Sequence, residues 1–217
     1  MSIRTAILAA IFVTSLIVGA KYVPMFWPSI PSPSDFTEEP QGIVFDFDSG
    51  FPVLVEGQNT PLSQTSNGLT AIFTSPSDSA NPVFSIQSYD TTFFKLPQFS
   101  GRWLYDNRPS RDMLMINFSR QLSSINFTFS TREYDGGPSV DPTNIALVAY
   151  MDSTDTTPVG SVTAHGTFST SLYPQGTLAF NLADQQFNLV TIEIPFTLLG
   201  ATDFLVDNII VTTARAE

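Results

Sequence analysis

Two segments decide the fold of this chain: Ile43-Val-Phe-Asp-Phe-Asp48 near its start and Phe204-Leu-Val-Asp-Asn-Ile-Ile-Val211 near its end. Each is a short run of hydrophobic β-formers with carboxylates set into it, a pattern typical of β-strands. If the two strands lie side by side, Asp46 or Asp48 and Asp207 can meet around one hard cation, which prefers oxygen ligands. The two segments therefore predict a sheet in which the first and last strands are neighbours.

Alternation of hydrophobic and polar residues continues through residues 42–213. The run Ile125-Asn-Phe-Thr-Phe129 shows it clearly, and turn sequences such as Asn67-Gly68 and Asp141-Pro142 separate such runs. Further candidate strands cover residues 69–74, 83–88, 113–118, 145–151, 159–165, 176–180, 189–194 and 204–212. No segment shows a helical hydrophobic stripe with caps. We therefore predict an all-β fold, an antiparallel β-sandwich of the jelly-roll kind.

The composition indicates how many domains the chain forms and which classes of partner are excluded. The chain has 217 residues, 42% hydrophobic and 13% charged, and no cysteine. A domain of about 170 residues buries roughly 70% of its unfolded surface, so it needs no disulfide. The formal net charge of -11 argues against nucleic acid as a partner, because phosphate contacts need clustered lysine and arginine.

The amino-terminal part predicts export from the cytoplasm. Residues 1–20 hold an uncharged hydrophobic run after Arg4 and close on Val18-Gly-Ala20, a pattern typical of a cleaved signal peptide. The alternative is an uncleaved signal anchor, which would leave the protein membrane-anchored and facing outside, with membrane contact through this segment alone. Residues 21–41 contain five prolines and predict a stiff linker, and residues 214–217 form a short tail.

The strand sequences together resemble one family of domains. The opening and closing strands, with Leu114-Met-Ile-Asn-Phe-Ser119 and Ile125–Phe129 as a middle strand pair, are similar to galactose-binding-like β-jelly-roll domains. Such domains occur as carbohydrate-binding modules and in secreted bacterial proteins of the PEP-CTERM type. The resemblance implies a jelly-roll fold and a secreted binding role. In this sequence the sorting tail of the PEP-CTERM proteins does not follow the last strand.

The closing strand contains the first candidate site. Asp207 and Asn208 are successive and flanked by hydrophobic residues, so at least one of them must point inward. A buried, unpaired carboxylate costs several kcal/mol, so Asp207 should have a cation, a donor cluster or a raised pKa. In the family that this sequence resembles, the matching aspartate commonly binds a structural Ca²⁺, and Asp46 and Asp48 would be its partners here. The alternative is that these two are solvated and that Asp207 accepts backbone hydrogen bonds.

The second candidate site is a ligand-binding segment at residues 101–109. Its candidate binding residues are Trp103, Tyr105, Asp106, Asn107 and Arg108. Flat apolar rings beside planar donors and acceptors are the chemistry that orients a sugar in a cleft. The alternative is that Trp103 is a core residue and that the arginines pair with acids at the surface.

Three functions remain open after these observations. The leading prediction is a secreted, non-catalytic module that binds carbohydrate or another extracellular polymer and contains a structural calcium ion. The first alternative is an envelope or matrix structural protein without a small-ligand site. The lower alternative is a glycan-active hydrolase, for which Glu133 and Glu193 are acids without distinguishing context. His165, the only histidine, is expected to be a polar surface residue.

Overall fold

The computed structural model describes residues 42–78, 81–88, 96–108, 111–133, 141–168, 173–195 and 200–214. All described residues belong to one compact unit, Glu39–Glu217. The predicted signal or anchor and the whole of the predicted linker therefore lie outside the described residues. Within these seven ranges, no helix has the length and apolar character needed to span a membrane.

The described residues form eleven β-strands and no helix. The strands are β1 (Ile43–Phe45), β2 (Leu62–Ser66), β3 (Leu69–Thr74), β4 (Phe84–Gln87), β5 (Trp103–Asp106), β6 (Leu114–Thr131), β7 (Asn144–Tyr150), β8 (Gly160–His165), β9 (Gln175–Asn181), β10 (Phe187–Glu193) and β11 (Phe204–Thr213). Every pairing among them is antiparallel. The predicted all-β, antiparallel architecture is confirmed.

Strand β6 belongs to both layers of the sandwich. Its first half pairs with β3 and β10, in a layer ordered β2-β3-β6-β10-β7-β8, and its second half pairs with β11 and β9. The second layer continues from β11 to β5 and β4. The sequence predicted a pair of strands where this single strand of 18 residues lies. That prediction is corrected, because residues 119–124 contain no glycine or proline that would end a strand.

The core between the layers is built largely from phenylalanine. The rings of Phe47 and Phe73 lie 5.5 Å apart, and those of Phe84 and Phe204 are also 5.5 Å apart. All four side chains are buried, and each contributes roughly 1.5–3 kcal/mol by leaving water. These contacts fasten the opening segment to β3 and the edge strand β4 to the closing strand.

A second, smaller hydrophobic cluster lies on the other face of β5 and β11. It contains Leu96, Phe99, Trp103 and Leu205, with Tyr105 and Tyr173 packed against it. Leu104 and Val206, the next residues along the two strands, belong to the main core instead, because successive strand residues point to opposite faces. The segment around Phe99 therefore covers the outer face of the second layer, next to the closing strand.

The first and last strands are neighbours, as the sequence predicted. Ile43 pairs with Val211 and Phe45 pairs with Ile209. The end of β1 therefore lies beside the middle of β11, close to Asp207. This adjacency brings together the two acidic segments that begin the site described next.

Candidate functional site

Asp46 organises a turn immediately after β1. Its Oδ1 accepts hydrogen bonds from the backbone nitrogen of Asp48 at 3.1 Å and from the backbone nitrogen and hydroxyl of Ser49, both at 2.8 Å. Phe47 between them is buried and has a φ of 60°. The sequence predicted one strand over residues 43–48, and this is corrected. The strand ends at Phe45 because the Asp46 side chain takes the following backbone donors for itself.

Asp48 contacts a segment that is distant in sequence. Its Oδ2 accepts a hydrogen bond from the backbone nitrogen of Arg102 at 3.0 Å, and its Oδ1 lies 3.5 Å from Nη1 of the same arginine. Gly101 has a φ of 62°, and a Cβ added to it would overlap the Asp48 carboxylate. Glycine therefore satisfies two needs at this position, the left-handed backbone and the close approach of the carboxylate.

Asp207 is a fully buried carboxylate on the closing strand. Its Oδ2 accepts hydrogen bonds from the backbone nitrogen of Ser100 at 3.1 Å and from the Asn208 side-chain nitrogen at 3.0 Å. Its Oδ1 accepts one from the Asn208 backbone nitrogen at 2.7 Å. The register of β11 against β6 shifts between Asp207 and Ile210, and Asn208 there has a φ of 49°. This bulge lets both nitrogens of Asn208 donate to the preceding carboxylate.

Burial raises the pKa of Asp207 to about 7, because the charged form loses its hydration. The hydrogen bonds from Ser100 and Asn208 oppose this rise, and the negative charges of Asp48 and Asp46 add to it. The three carboxylates predicted to share a metal therefore lie within electrostatic range of one another. Asp207 also has the donor cluster that the sequence required of it.

The arrangement differs from a ready-made metal cage. Among the residues that the structure describes, no group of three or more histidine, aspartate or glutamate side chains is placed so that it could hold a metal ion. Instead, nitrogen and hydroxyl donors occupy oxygens of all three aspartates. We call the set Asp48, Ser100–Arg102 and Asp207 the acidic clasp, because one loop segment holds a carboxylate from each end of the domain.

The five residues predicted to bind a ligand do not form one surface. Trp103 is only 1% exposed, and its ring packs edge-on against Phe99 at 6.0 Å, so it is a core residue as the alternative held. Tyr105 lies on the same face of β5, and its hydroxyl accepts a hydrogen bond from Arg132 at 2.7 Å. Asp106 points to the opposite face and is fully buried, whereas Asn107 is exposed and Arg108 is partly exposed. Alternation along the strand separates residues that are adjacent in sequence.

Asp106 is a second buried acid, and its setting differs from that of Asp207. Its Oδ1 accepts a hydrogen bond from the Arg108 backbone nitrogen at 3.0 Å, while Oδ2 is buried without a hydrogen-bond partner among the described residues. Burial raises the pKa of Asp106 to about 8, and the charges of Asp203 and Asp112 add to the rise. At neutral pH this side chain is therefore mainly a neutral carboxylic acid inside the domain.

An exposed hydrophobic loop was not singled out by the sequence reasoning. We call residues 51–55 the Phe51 loop: Phe51 is 77% exposed, Val53 62% and Val55 55%, whereas Leu54 is buried. Phe51 and Thr65 exchange two backbone hydrogen bonds, of 2.9 and 2.6 Å. The available signal was an aromatic residue between Gly50 and a proline, outside any alternating strand.

Comparison with known proteins gives structural matches alone. No protein-family model matches this chain, and no curated protein matches it. The chain is similar to the K2 cleaved adhesin domain of Lys-gingipain, with 13% identity and a TM-score of 0.47, covering 79% of this chain and 98% of that one. It is also similar to TmCBM61, solved with β-1,4-galactotriose, with 9% identity and a TM-score of 0.39, covering 78% and 99% of the two chains.

A third similar structure is the CBM22-1-CBM22-2 tandem domain of Xyn10C from Paenibacillus barcinonensis. It has 14% identity and a TM-score of 0.43, and the match covers 86% of this chain and 53% of that chain. The carbohydrate-binding modules that the sequence resembles thus recur among the solved structures. At these low similarities, the architecture rests on the strand pairing of this chain itself.

Proposed function

We propose that residues 42–213 form a non-catalytic module that binds carbohydrate or another extracellular polymer. The Phe51 loop carries this proposal. Exposed apolar side chains in contiguous groups mark interaction sites on soluble domains. A phenylalanine ring offers a flat apolar face to the C–H surface of a sugar, and three exposed apolar side chains within five residues give a polymer an extended contact.

The Phe51 loop is held in place before any ligand arrives. Two backbone hydrogen bonds to Thr65 fix its first residue, and the buried Leu54 side chain anchors its middle. Val55 is held by a hydrogen bond from its backbone nitrogen to the Gln58 side chain at 3.2 Å. A loop that is already ordered loses little conformational entropy on binding, so even a small contact area can give useful affinity.

Three acids, Asp106, Asp207 and Glu133, are placed in ways that do not suit hydrolysis. Glycoside hydrolysis uses two carboxyl groups that face the scissile bond from opposite sides. Asp106 and Asp207 are fully buried and cannot reach such a bond. Both oxygens of Glu133 accept hydrogen bonds from Thr143, each at 2.9 Å. The carboxylate of this candidate hydrolase residue is therefore already engaged within the fold.

A structural calcium ion in the acidic clasp is a separate part of the proposal. Its support is that the pKa of Asp207 is raised first by burial and then by the nearby negative charges of Asp48 and Asp46, which a cation would offset. Calcium would neutralise these carboxylates and join the two ends of the domain. The alternative is that the hydrogen bonds from Ser100 and Arg102 join the two ends of the domain without a metal. An extracellular location also belongs to the proposal, and it rests on the sequence of residues 1–20.

Affinity gel electrophoresis tests the binding proposal directly. The full chain, Phe51→Ala and a control, Met151→Ala, would be run through gels containing galactan, xylan or a cellulose derivative. Met151 is a suitable control because it is 50% exposed and lies outside the loop. We expect at least one polysaccharide to retard the wild-type chain and the control, and Phe51→Ala to migrate freely. Equal retardation of all three proteins would remove the Phe51 loop from the proposal.

The test also separates carbohydrate from a protein partner. The aliphatic side chains of Val53 and Val55 suit a protein surface, which is the observation that favours the structural alternative. If no polysaccharide retards the wild-type chain, the carbohydrate proposal fails and the structural role takes its place. Retardation that depends on Phe51 supports the carbohydrate proposal.

A further inference from the structure

A cavity of about 330 Å³ opens where β7 begins and β8 ends. The described residues that line it are Asp141, Pro142, Asn144 and His165. We propose that this cavity is a binding subsite for a neutral sugar unit, separate in sequence from the Phe51 loop. This inference rests on the proposed function and deepens it. The volume falls at the lower end of the range typical of small-molecule sites, which suits one unit of a glycan.

The wall that carries Pro142 and Asn144 is fixed by the residue between them. Thr143 is buried, and its backbone nitrogen and hydroxyl both donate to the Glu133 carboxylate at 2.9 Å. The same hydroxyl accepts a hydrogen bond from the Ala201 backbone nitrogen at 2.8 Å. Three hydrogen bonds at one buried residue hold the start of β7 in a single position.

The wall that carries His165 is equally constrained. His165 pairs with Asn144 across β7 and β8, so the two side chains share one face. The next residue, Gly166, packs so closely that an added Cβ would lie 2.6 Å from the Pro174 carbonyl carbon. Thr167 and Gln175 then exchange backbone hydrogen bonds of 2.8 and 3.1 Å. The cavity is therefore formed before a ligand enters it.

The lining has the chemistry of a hydroxyl-binding site. The Nδ1 atom of His165 lies 3.1 Å from the Gly166 carbonyl oxygen, which can only accept, so Nδ1 carries the proton and Nε2 is an acceptor in the neutral ring. The Asp141 carboxylate accepts, the Asn144 amide donates and accepts, and the Pro142 ring offers an apolar face. Several acceptors suit the hydroxyl donors of a sugar. The Asp141 charge and the net charge of -11 disfavour an acidic sugar.

The face of β7 and β8 that carries Asn144 and His165 continues past the cavity as a strip of four further residues. The strip contains Ala146 and Val148 on β7 and Thr163 and Ser161 on β8, paired across the two strands. Ala146 points away from the main core, to which its neighbours Ile145 and Leu147 belong. A glycan with one unit in the cavity would therefore meet the exposed Thr163 and Ser161 hydroxyls if it extended along β8.

The single histidine makes the cavity testable by nuclear magnetic resonance. We would label the imidazole of the purified full chain, carried without a polyhistidine tag, and titrate it with cellotriose or β-1,4-galactotriose. The expected result is a saturable shift of the His165 ring signals at millimolar sugar, with trigalacturonate causing no shift. Asn144→Ala should weaken the fitted affinity about tenfold. Ser63→Ala, an exposed site on β2 at the opposite edge of the same layer, should leave it unchanged.

The outcomes separate this inference from the proposed function. If neither neutral trisaccharide moves the His165 signals, the subsite is excluded, even when polysaccharide gels still show binding that depends on Phe51. Equal affinities of Asn144→Ala and wild type would also exclude it, and circular dichroism of each variant checks that it is folded. Failure of the proposed function would appear separately, as polysaccharide gels that retard neither wild type nor Met151→Ala.

Discussion

Asp48 and Asp207 are bound by the same short loop, although they lie at opposite ends of the domain sequence. The Ser100 backbone nitrogen donates to Asp207 at 3.1 Å, and the Arg102 backbone nitrogen donates to Asp48 at 3.0 Å. Gly101 sits between these two donors in a left-handed conformation. The loop therefore connects the opening turn to the closing strand through two carboxylates, and this connection can be tested residue by residue.

Gly101→Ala should destabilise the domain more than an ordinary glycine substitution does. The new methyl group would overlap the Asp48 carboxylate and would also strain a backbone with φ of 62°. Gly68→Ala is the matched control, because its φ is 72° and nothing lies within 4 Å of the added carbon. We expect a loss of about 1 kcal/mol for the control and about 2–4 kcal/mol for Gly101→Ala, measured by urea denaturation. Equal losses would show that Asp48 does not approach Gly101 closely.

Calcium should raise the melting temperature if the acidic clasp binds it. A ligand that binds the folded state at a hundred times its dissociation constant stabilises by about 2.7 kcal/mol. Removal of calcium with a chelator should therefore lower the melting temperature of the wild type, and Asp207→Ala should lose this sensitivity. Asp184→Ala, an exposed acid elsewhere, should keep it. A wild-type protein that melts identically with chelator and with calcium would leave the hydrogen-bonded clasp as the correct description.

Stability should fall as the pH rises, because the folded state holds the Asp106 proton. The pKa of Asp106 is about 8 in the fold against 3.8 ordinarily, so the folded state binds more protons than the unfolded state between these values. The free energy of unfolding should therefore decrease from about pH 4 to about pH 8 and then level off. Asp207, with a pKa of about 7, adds a change of the same sign that ends one unit earlier.

Asp106→Asn isolates the first of these two contributions. The amide resembles the neutral acid and keeps an oxygen for the Arg108 backbone nitrogen, so the variant should be more stable than wild type at pH 8 by a few kcal/mol. Chemical denaturation at several pH values measures this difference. Asp184→Asn should follow the wild-type profile. A variant profile parallel to that of wild type would mean that Asp106 ionises in the fold as it does in the unfolded chain.

Trp103→Ala should reduce stability and is a poor test of ligand binding. Its ring is buried against Phe99, so truncation leaves a cavity and costs about 3–5 kcal/mol. Trp103→Phe should recover part of this loss because an aromatic ring still fills the site. Thermal denaturation of both variants checks the order. If Trp103→Ala is as stable as wild type, the ring does not occupy the cluster that contains Leu205.

Strict alternation of hydrophobic and polar residues made the bounds of several strands predictable to within one residue. The strand predicted at 69–74 is β3 itself, and those predicted at 145–151 and 159–165 are β7 and β8 shifted or shortened by one residue. Two strands were missed. Strand β2, Leu-Ser-Gln-Thr-Ser, has one hydrophobic residue, and β5 is buried on both faces, so neither shows the alternation of a half-exposed strand.

The candidate sites were predictable from sequence only where a charged residue lies within a hydrophobic run. Asp207 stands out because a carboxylate in a hydrophobic run must find donors, and the structure supplies them. The donors themselves could not be found this way, since Ser100 is 107 residues from Asp207 in sequence. The turn at Asp46 was missed because a local side-chain hydrogen bond competed with the strand pattern. Surface features such as the Phe51 loop depend on what covers each side chain, which follows from the assembled fold.

The pairing of β1 with β11 also determines how the domain would respond to pulling. Because the two strands are antiparallel, the backbone on the Gly42 side and the backbone past Thr213 leave the sheet at the same end. A force applied through these two points would peel the pair apart one rung at a time, starting at Ile43 and Val211, instead of shearing all rungs together. A tether under load would thus strip away the first strand, draw Phe45 and Phe47 out of the interior, and then withdraw Asp48 from Arg102, so the clasp would resist only after the three rungs had opened.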